Sequence, residues 1–136
     1  MICVATFFSG CTAEQSPSLR PALCDALKAP STVQVTLMFG LKRPDGSPIT
    51  KEEWQEFMRK NVTPRFPDGL TIVSASGQWR DPQTGLITEE PSQLVWIVSQ
   101  QTEGLATRIE AIRTAYKTRF KQQSVGVSMV SGCATF

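Results

Sequence analysis

The sequence predicts an α+β domain, with a four-stranded antiparallel sheet covered on one face by two helices. Three observations predict it. Four stretches read as strands, by alternation of apolar and polar residues or by runs rich in Val, Ile and Thr. Two stretches repeat apolar residues at helical spacing. Their order is strand, helix, strand, strand, helix, strand, which is the ferredoxin-like βαββαβ arrangement. A chain of 136 residues fits one domain. With 40% hydrophobic and 19% charged residues, its composition is that of a globular protein with a core.

The first strand is carried by Val33, Val35, Leu37, Phe39 and Leu41, alternating with Gln34, Thr36, Met38 and Gly40. Pro44-Asp45-Gly46 marks a turn. Thr50-Lys51-Glu52-Glu53 is a capping box, in which the Thr50 hydroxyl and the Glu53 carboxylate satisfy free amides of a first helical turn. Trp54, Phe57 and Met58 follow at helical spacing, and the helix should stop near Asn61 because Pro64 and Pro67 cannot continue it. Pro67-Asp68-Gly69 is a second turn. Leu70 to Gln78 reads as a strand, Asp81 to Gly85 as a hairpin loop, and Leu86 to Val98 as the return strand. Glu103 to Lys121 is the longest helical pattern, with Leu105, Ile109, Ile112, Tyr116 and Phe120 on one stripe. Ser124 to Val130 closes the order as the last strand. With both helices on one face, the other face of the sheet is open. Leu94-Val95-Trp96-Ile97-Val98 is apolar on both faces, so the open side should carry apolar surface suited to an interface or a ligand. A homodimer through that face is the expected association.

Several motifs recur in order along this framework: Phe39-Gly40, Trp54-Gln55-Glu56-Phe57, Pro64-Arg65-Phe66-Pro67-Asp68-Gly69-Leu70-Thr71, Gly77-Gln78-Trp79-Arg80, Glu90-Pro91-Ser92 and Tyr116-Lys117-Thr118-Arg119-Phe120. With these, the stretch from about residue 33 to residue 136 resembles the bacterial family called domain of unknown function 3574. The resemblance implies a secreted or lipoprotein-like protein. It brings no activity, cofactor or catalytic residue with it.

The N-terminal quarter reads differently. Met1 to Gly10 is uncharged and mostly apolar, and it ends in Phe8-Ser9-Gly10-Cys11, similar to the lipoprotein signal in which small residues precede a lipidated cysteine. The positive n-region is missing, which a start codon further upstream would supply. Residues 12–31 are rich in Ser, Pro, Ala and Thr and read as a flexible tether. The expected organisation is therefore a signal-like segment over 1–11, a tether over 12–31 and the α+β domain over 32–136. The expected destination is outside the cytoplasm, in the periplasm or on a membrane through a lipid on Cys11. With Cys3 leaving in the signal and Cys11 lipidated, two cysteines remain free to pair. The first strand starts beside the end of the last one, so Cys24 and Cys133 should form a disulfide.

The function classes left open are few. The chain has no histidine, which excludes Ser-His-Asp and Cys-His nucleophile systems and imidazole metal sites. No CxxC occurs, so thiol redox catalysis and zinc have no support. Net charge is +2 with no basic run, so nucleic acid is not an expected partner. No cofactor is implied. Glu89 and Glu90 are adjacent on a strand and point to opposite faces, which makes them a poor acid and base pair. The candidate binding residues are Arg65, Trp79, Arg80 and Glu90. Arg65 sits in a proline-stiffened segment. Trp79 and Arg80 set an aromatic face beside a bidentate donor, and Glu90 lies on the return strand of the same hairpin. The opposing expectation is that these arginines merely lock loops. The sequence therefore points to a non-catalytic binding or envelope-associated module, and secondly to a small enzyme with its pocket on the open sheet face or at a dimer interface.

Overall fold

The computed structural model describes residues 19–136. The elements are α1 (Leu19–Ala26), β1 (Ser31–Gly40), α2 (Lys51–Phe57), β2 (Thr71–Arg80), β3 (Ile87–Ser99), α3 (Leu105–Phe120) and β4 (Gly126–Cys133). The strands form one sheet in the order β2-β3-β1-β4, with every neighbouring pair antiparallel. This is the ferredoxin-like architecture. Among the described residues, no helix is long and apolar enough to cross a membrane.

Alternation decides which face of the sheet is buried. Val33, Val35, Leu37 and Phe39 of β1 and Val95 and Ile97 of β3 point to the helices and are buried. Residues in register across the sheet share a face, as Val35 does with Ile97 and Leu37 with Val95. The α3 stripe of Leu105, Ile109, Ile112, Tyr116 and Phe120 closes over them. At the centre, Phe39, Trp54, Phe57, Tyr116 and Phe120 pack mostly edge to face, with Phe39 and Tyr116 centroids 4.7 Å apart and Phe57 and Tyr116 5.0 Å apart. Each fully buried side chain of this size contributes roughly 2–3 kcal/mol of transfer free energy.

The capping box at α2 forms as the sequence requires. Glu53 N–H donates to Thr50 Oγ1 at 3.2 Å, and Thr50 N–H donates to Glu53 Oε2 at 2.9 Å. Beyond Phe57 the helix loosens into a π turn (Met58–Val62) and then a single 3₁₀ turn (Thr63–Arg65). Coiled chain thus runs past Asn61, the expected stop. Pro64 lies in the first turn of the 3₁₀ piece, where its missing N–H costs nothing. Pro91 lies inside β3 yet breaks no ladder. Its carbonyl accepts from Leu41 N–H at 2.8 Å, so its nitrogen faces the side where β1 has already ended at Gly40.

Within residues 12–31, expected as a tether, the described part contains the two-turn helix α1. Pro21 falls in the first turn, where proline is tolerated. Cys24 is bonded to Cys133, with Cα atoms 5.9 Å apart. The bridge forms where expected, because Ser31 at the start of β1 is in register with Cys133 at the end of β4. The signal-like segment and Cys11 lie outside the described residues.

Candidate functional site

The face of the sheet turned away from α2 and α3 is formed by every second residue of each strand: Thr32 to Gly40 on β1, Thr71 to Trp79 on β2, Thr88 to Val98 on β3 and Gly126 to Gly132 on β4. Apart from Gln34 and Glu90, these positions are small, hydroxylic or apolar. Met38, Val73, Trp79, Trp96 and Val130 are 38%, 45%, 50%, 44% and 51% exposed. Trp96 is directly opposite Thr36 on one side and Thr71 on the other, so neither neighbour screens its indole. A patch of large apolar side chains exposed on one flat face marks a surface that meets something else.

Glu90 is the one ionisable side chain among those strand positions. It lies opposite Gly77 on β2 and leans over Gly40 on β1. A Cβ placed on Gly40 would lie 2.8 Å from Glu90 Oε1, and one on Gly77 would lie 4.0 Å from its Cγ. The two glycines therefore leave the space that the carboxylate occupies and the space beside it. Among the described residues Glu90 forms no ion pair; the four ion pairs involve Glu53, Glu56 and Glu110. Arg43, close in sequence to Gly40, donates to Glu53 and to the Pro48 carbonyl at 2.6 Å each. Behind Gly40, the Tyr116 hydroxyl donates to the Gly40 carbonyl at 2.7 Å. Burial pushes the Tyr116 phenol well above its ordinary range, and the Glu90 charge pushes in the same direction. That phenol keeps its proton and holds its hydrogen bond at any working pH.

The structure separates the four candidate binding residues. Trp79 and Glu90 share the open face as diagonal neighbours, since Trp79 is opposite Thr88 and Gly77 is opposite Glu90. Arg80 points to the other face, where its Nε donates to the Gly85 carbonyl at 3.2 Å and braces the hairpin. Arg65 precedes β2 whereas Arg80 ends it, so about 30 Å of strand separates them. Arg65 donates to the Asn61 carbonyl at 2.6 Å and closes the last turn of its own helix. It also rims a shallow depression of about 550 Å³ with Glu103, Thr107 and Arg108. There Arg108 is committed to the Arg65 carbonyl at 3.0 Å and stacks 5.0 Å over Phe66. No single rim gathers the two arginines, because strand alternation and strand length both oppose it. Neither arginine is paired with Glu90, Asp68 or Asp81.

At the far end of the open face, Leu23 and Cys24 of α1 line a groove of about 320 Å³ with Thr32, Gln34, Val98 and Val130. The disulfide holds α1 there. Gly40, Gly77 and the Tyr116 hydroxyl are not among the candidate residues that the sequence singles out. The available signal was a glycine interrupting a strand, which marks close approach by another group.

Residues 34–136 match the family model described as Protein of unknown function (DUF3574). No curated protein matches the chain by sequence. Among solved structures, the chain is similar to a phage SAM lyase in complex with S-methyl-5′-thioadenosine, with TM-score 0.58 and 17% identity over 77% of this chain and 90% of that one. The apo state of a phage SAM lyase gives TM-score 0.56 and 18% identity over 77% and 86%. CutA from Synechococcus elongatus gives TM-score 0.49 and 11% identity over 77% and 80%. At 17% and 18% identity, the likeness to the two lyase structures is one of fold.

Proposed function

The chain belongs to the family of proteins of unknown function DUF3574, and we propose that it is an exported, non-catalytic binding module whose working surface is the open face of the sheet. The single observation behind this is the apolar patch on that face, with Trp79 and Trp96 about half exposed and no helix of the domain core across them. Apolar surface left in water at this density costs free energy that association recovers. Pairing with a second copy through Trp96 is the simplest such association. Export, with a membrane anchor on Cys11, completes the reading; the Cys24–Cys133 pair suits an oxidising compartment.

Two measurements test it. Sedimentation at micromolar concentration should show a species larger than the monomer, and Trp96→Glu should return it to monomer at an unchanged melting temperature. A monomeric wild type would remove the pairing. For the anchor, Cys11→Ala in the full gene should release the protein from the membrane fraction and lower its apparent mass; no change in either would remove lipidation.

A second reading is favoured by one specific observation: the solitary Glu90 carboxylate beside Gly40 and the Tyr116 hydroxyl. In this reading the chain is a small enzyme with its site on the open face or at a dimer interface. The phage SAM lyase of similar fold is an example of a catalyst on this scaffold. Turnover abolished by Glu90→Gln in a fold-intact protein would establish the enzyme over the module.

A further inference from the structure

We propose that the Glu90 end of the open face is a binding site for an organic monocation carrying a flat or apolar group. This rests on the open face being the working surface, and it assigns the chemistry of one ligand there. Three features carry it. First, Glu90 is the one ionisable group among the open-face strand positions, so that face bears a single uncompensated negative charge. Charge complementarity then calls for one positive charge, not a phosphate or a carboxylate. Second, Gly77 and Gly40 flank it without side chains, and the carboxylate lies over Gly40 where a Cβ would otherwise stand, so neither position covers it with a side chain. Third, Trp79 stands diagonally beside it on the same face, half exposed, where its ring can receive a cation by its quadrupole and an apolar group by its area. Glu90 forms no ion pair with a lysine or arginine of the described residues. The nearby Arg43 is held by Glu53 and the Pro48 carbonyl. A cation from outside therefore meets an available carboxylate, and the half-exposed Trp79 ring accepts the flat or apolar group that it carries.

The test is an NMR titration of the full chain with benzyltrimethylammonium, and with benzenesulfonate as a probe of the same ring and opposite charge. The cation should shift the Trp79 indole and the Gly77 and Glu90 amides saturably, and leave the buried Trp54 indole in place. Glu90→Gln should weaken this binding about tenfold and Trp79→Leu about threefold, both with unchanged melting temperature. Glu90 and Trp79 lie outside the core, so these variants keep the fold. Equal binding of both probes, or equal binding of the cation to wild type and Glu90→Gln, would overturn the cation site while leaving the open face as an apolar docking surface. If neither probe moves an open-face resonance, the cation site falls, and sedimentation alone then decides the surface.

Discussion

Removing the Cys24–Cys133 bridge has a cost that can be worked from chain connectivity. The bridge spans a sequence separation of 109 residues. If α1 stayed docked without it, loop-closure entropy in the unfolded chain would give about 5 kcal/mol. The structure argues for a smaller figure. No described residue of α1 belongs to the core, and Leu23 is 61% exposed. Once the bridge is gone, little holds α1 in place. Yet β1 still starts at Ser31, in register with Cys133, so Cys24 stays close to its partner even when α1 frays. The folded protein then has only a loop of about seven residues to close, against more than a hundred when unfolded. The difference between the two closures is about 2.5 kcal/mol. The expected loss for Cys24→Ser with Cys133→Ser therefore lies between about 2.5 and about 5 kcal/mol, nearer the lower value. Urea titration followed by tryptophan fluorescence, with the variant compared with oxidised wild type, measures it. A loss below about 1 kcal/mol would refute the argument, because no frayed state consistent with this register gives so little.

Two further predictions follow from named contacts. Tyr116→Phe keeps the ring in the aromatic cluster but leaves the Gly40 carbonyl without its hydroxyl donor, at a cost of about 1–2 kcal/mol in the same titration; unchanged stability would mean the hydroxyl is not needed there. Glu56 receives hydrogen bonds from Lys60 first and Arg119 second, each at 2.6 Å, and these lower its carboxyl from 4.5 to about 2. A depressed carboxylate stabilises the fold above its unfolded value and loses that contribution as pH falls through its folded one. Glu56→Gln should therefore be less stable than wild type at neutral pH, and the gap should close between pH about 4.5 and about 2. A pH-independent gap in the denaturation midpoints would show that packing, not charge, is responsible.

The alternation in β1, the capping box at Thr50 and the α3 stripe were all legible because each is a local pattern that burial then reinforces. Period-two spacing forced Val35 and Leu37 to one face, and the turn chemistry at Pro44-Asp45-Gly46 and Asp81–Gly85 fixed where the chain reverses. Even the disulfide was legible, since topology alone brings the end of β4 to the start of β1. The continuation of α2 into π and 3₁₀ turns was not, because prolines limit where a regular helix can run but permit looser coils. Nor was α1, a short helix that a bridge holds at the sheet instead of core packing. The candidate site divided along the same line. That Trp79 and Glu90 sit on strands of one hairpin followed from sequence; that they share a face with each other and not with Arg80 depended on register, which one residue of slip would have reversed. The distance of Arg65 from Arg80 follows from the length of β2 between them, but the closeness of Gly40 to Glu90 across fifty residues of chain was decided by tertiary structure alone, because strand pairing places residues by register and not by their separation along the sequence.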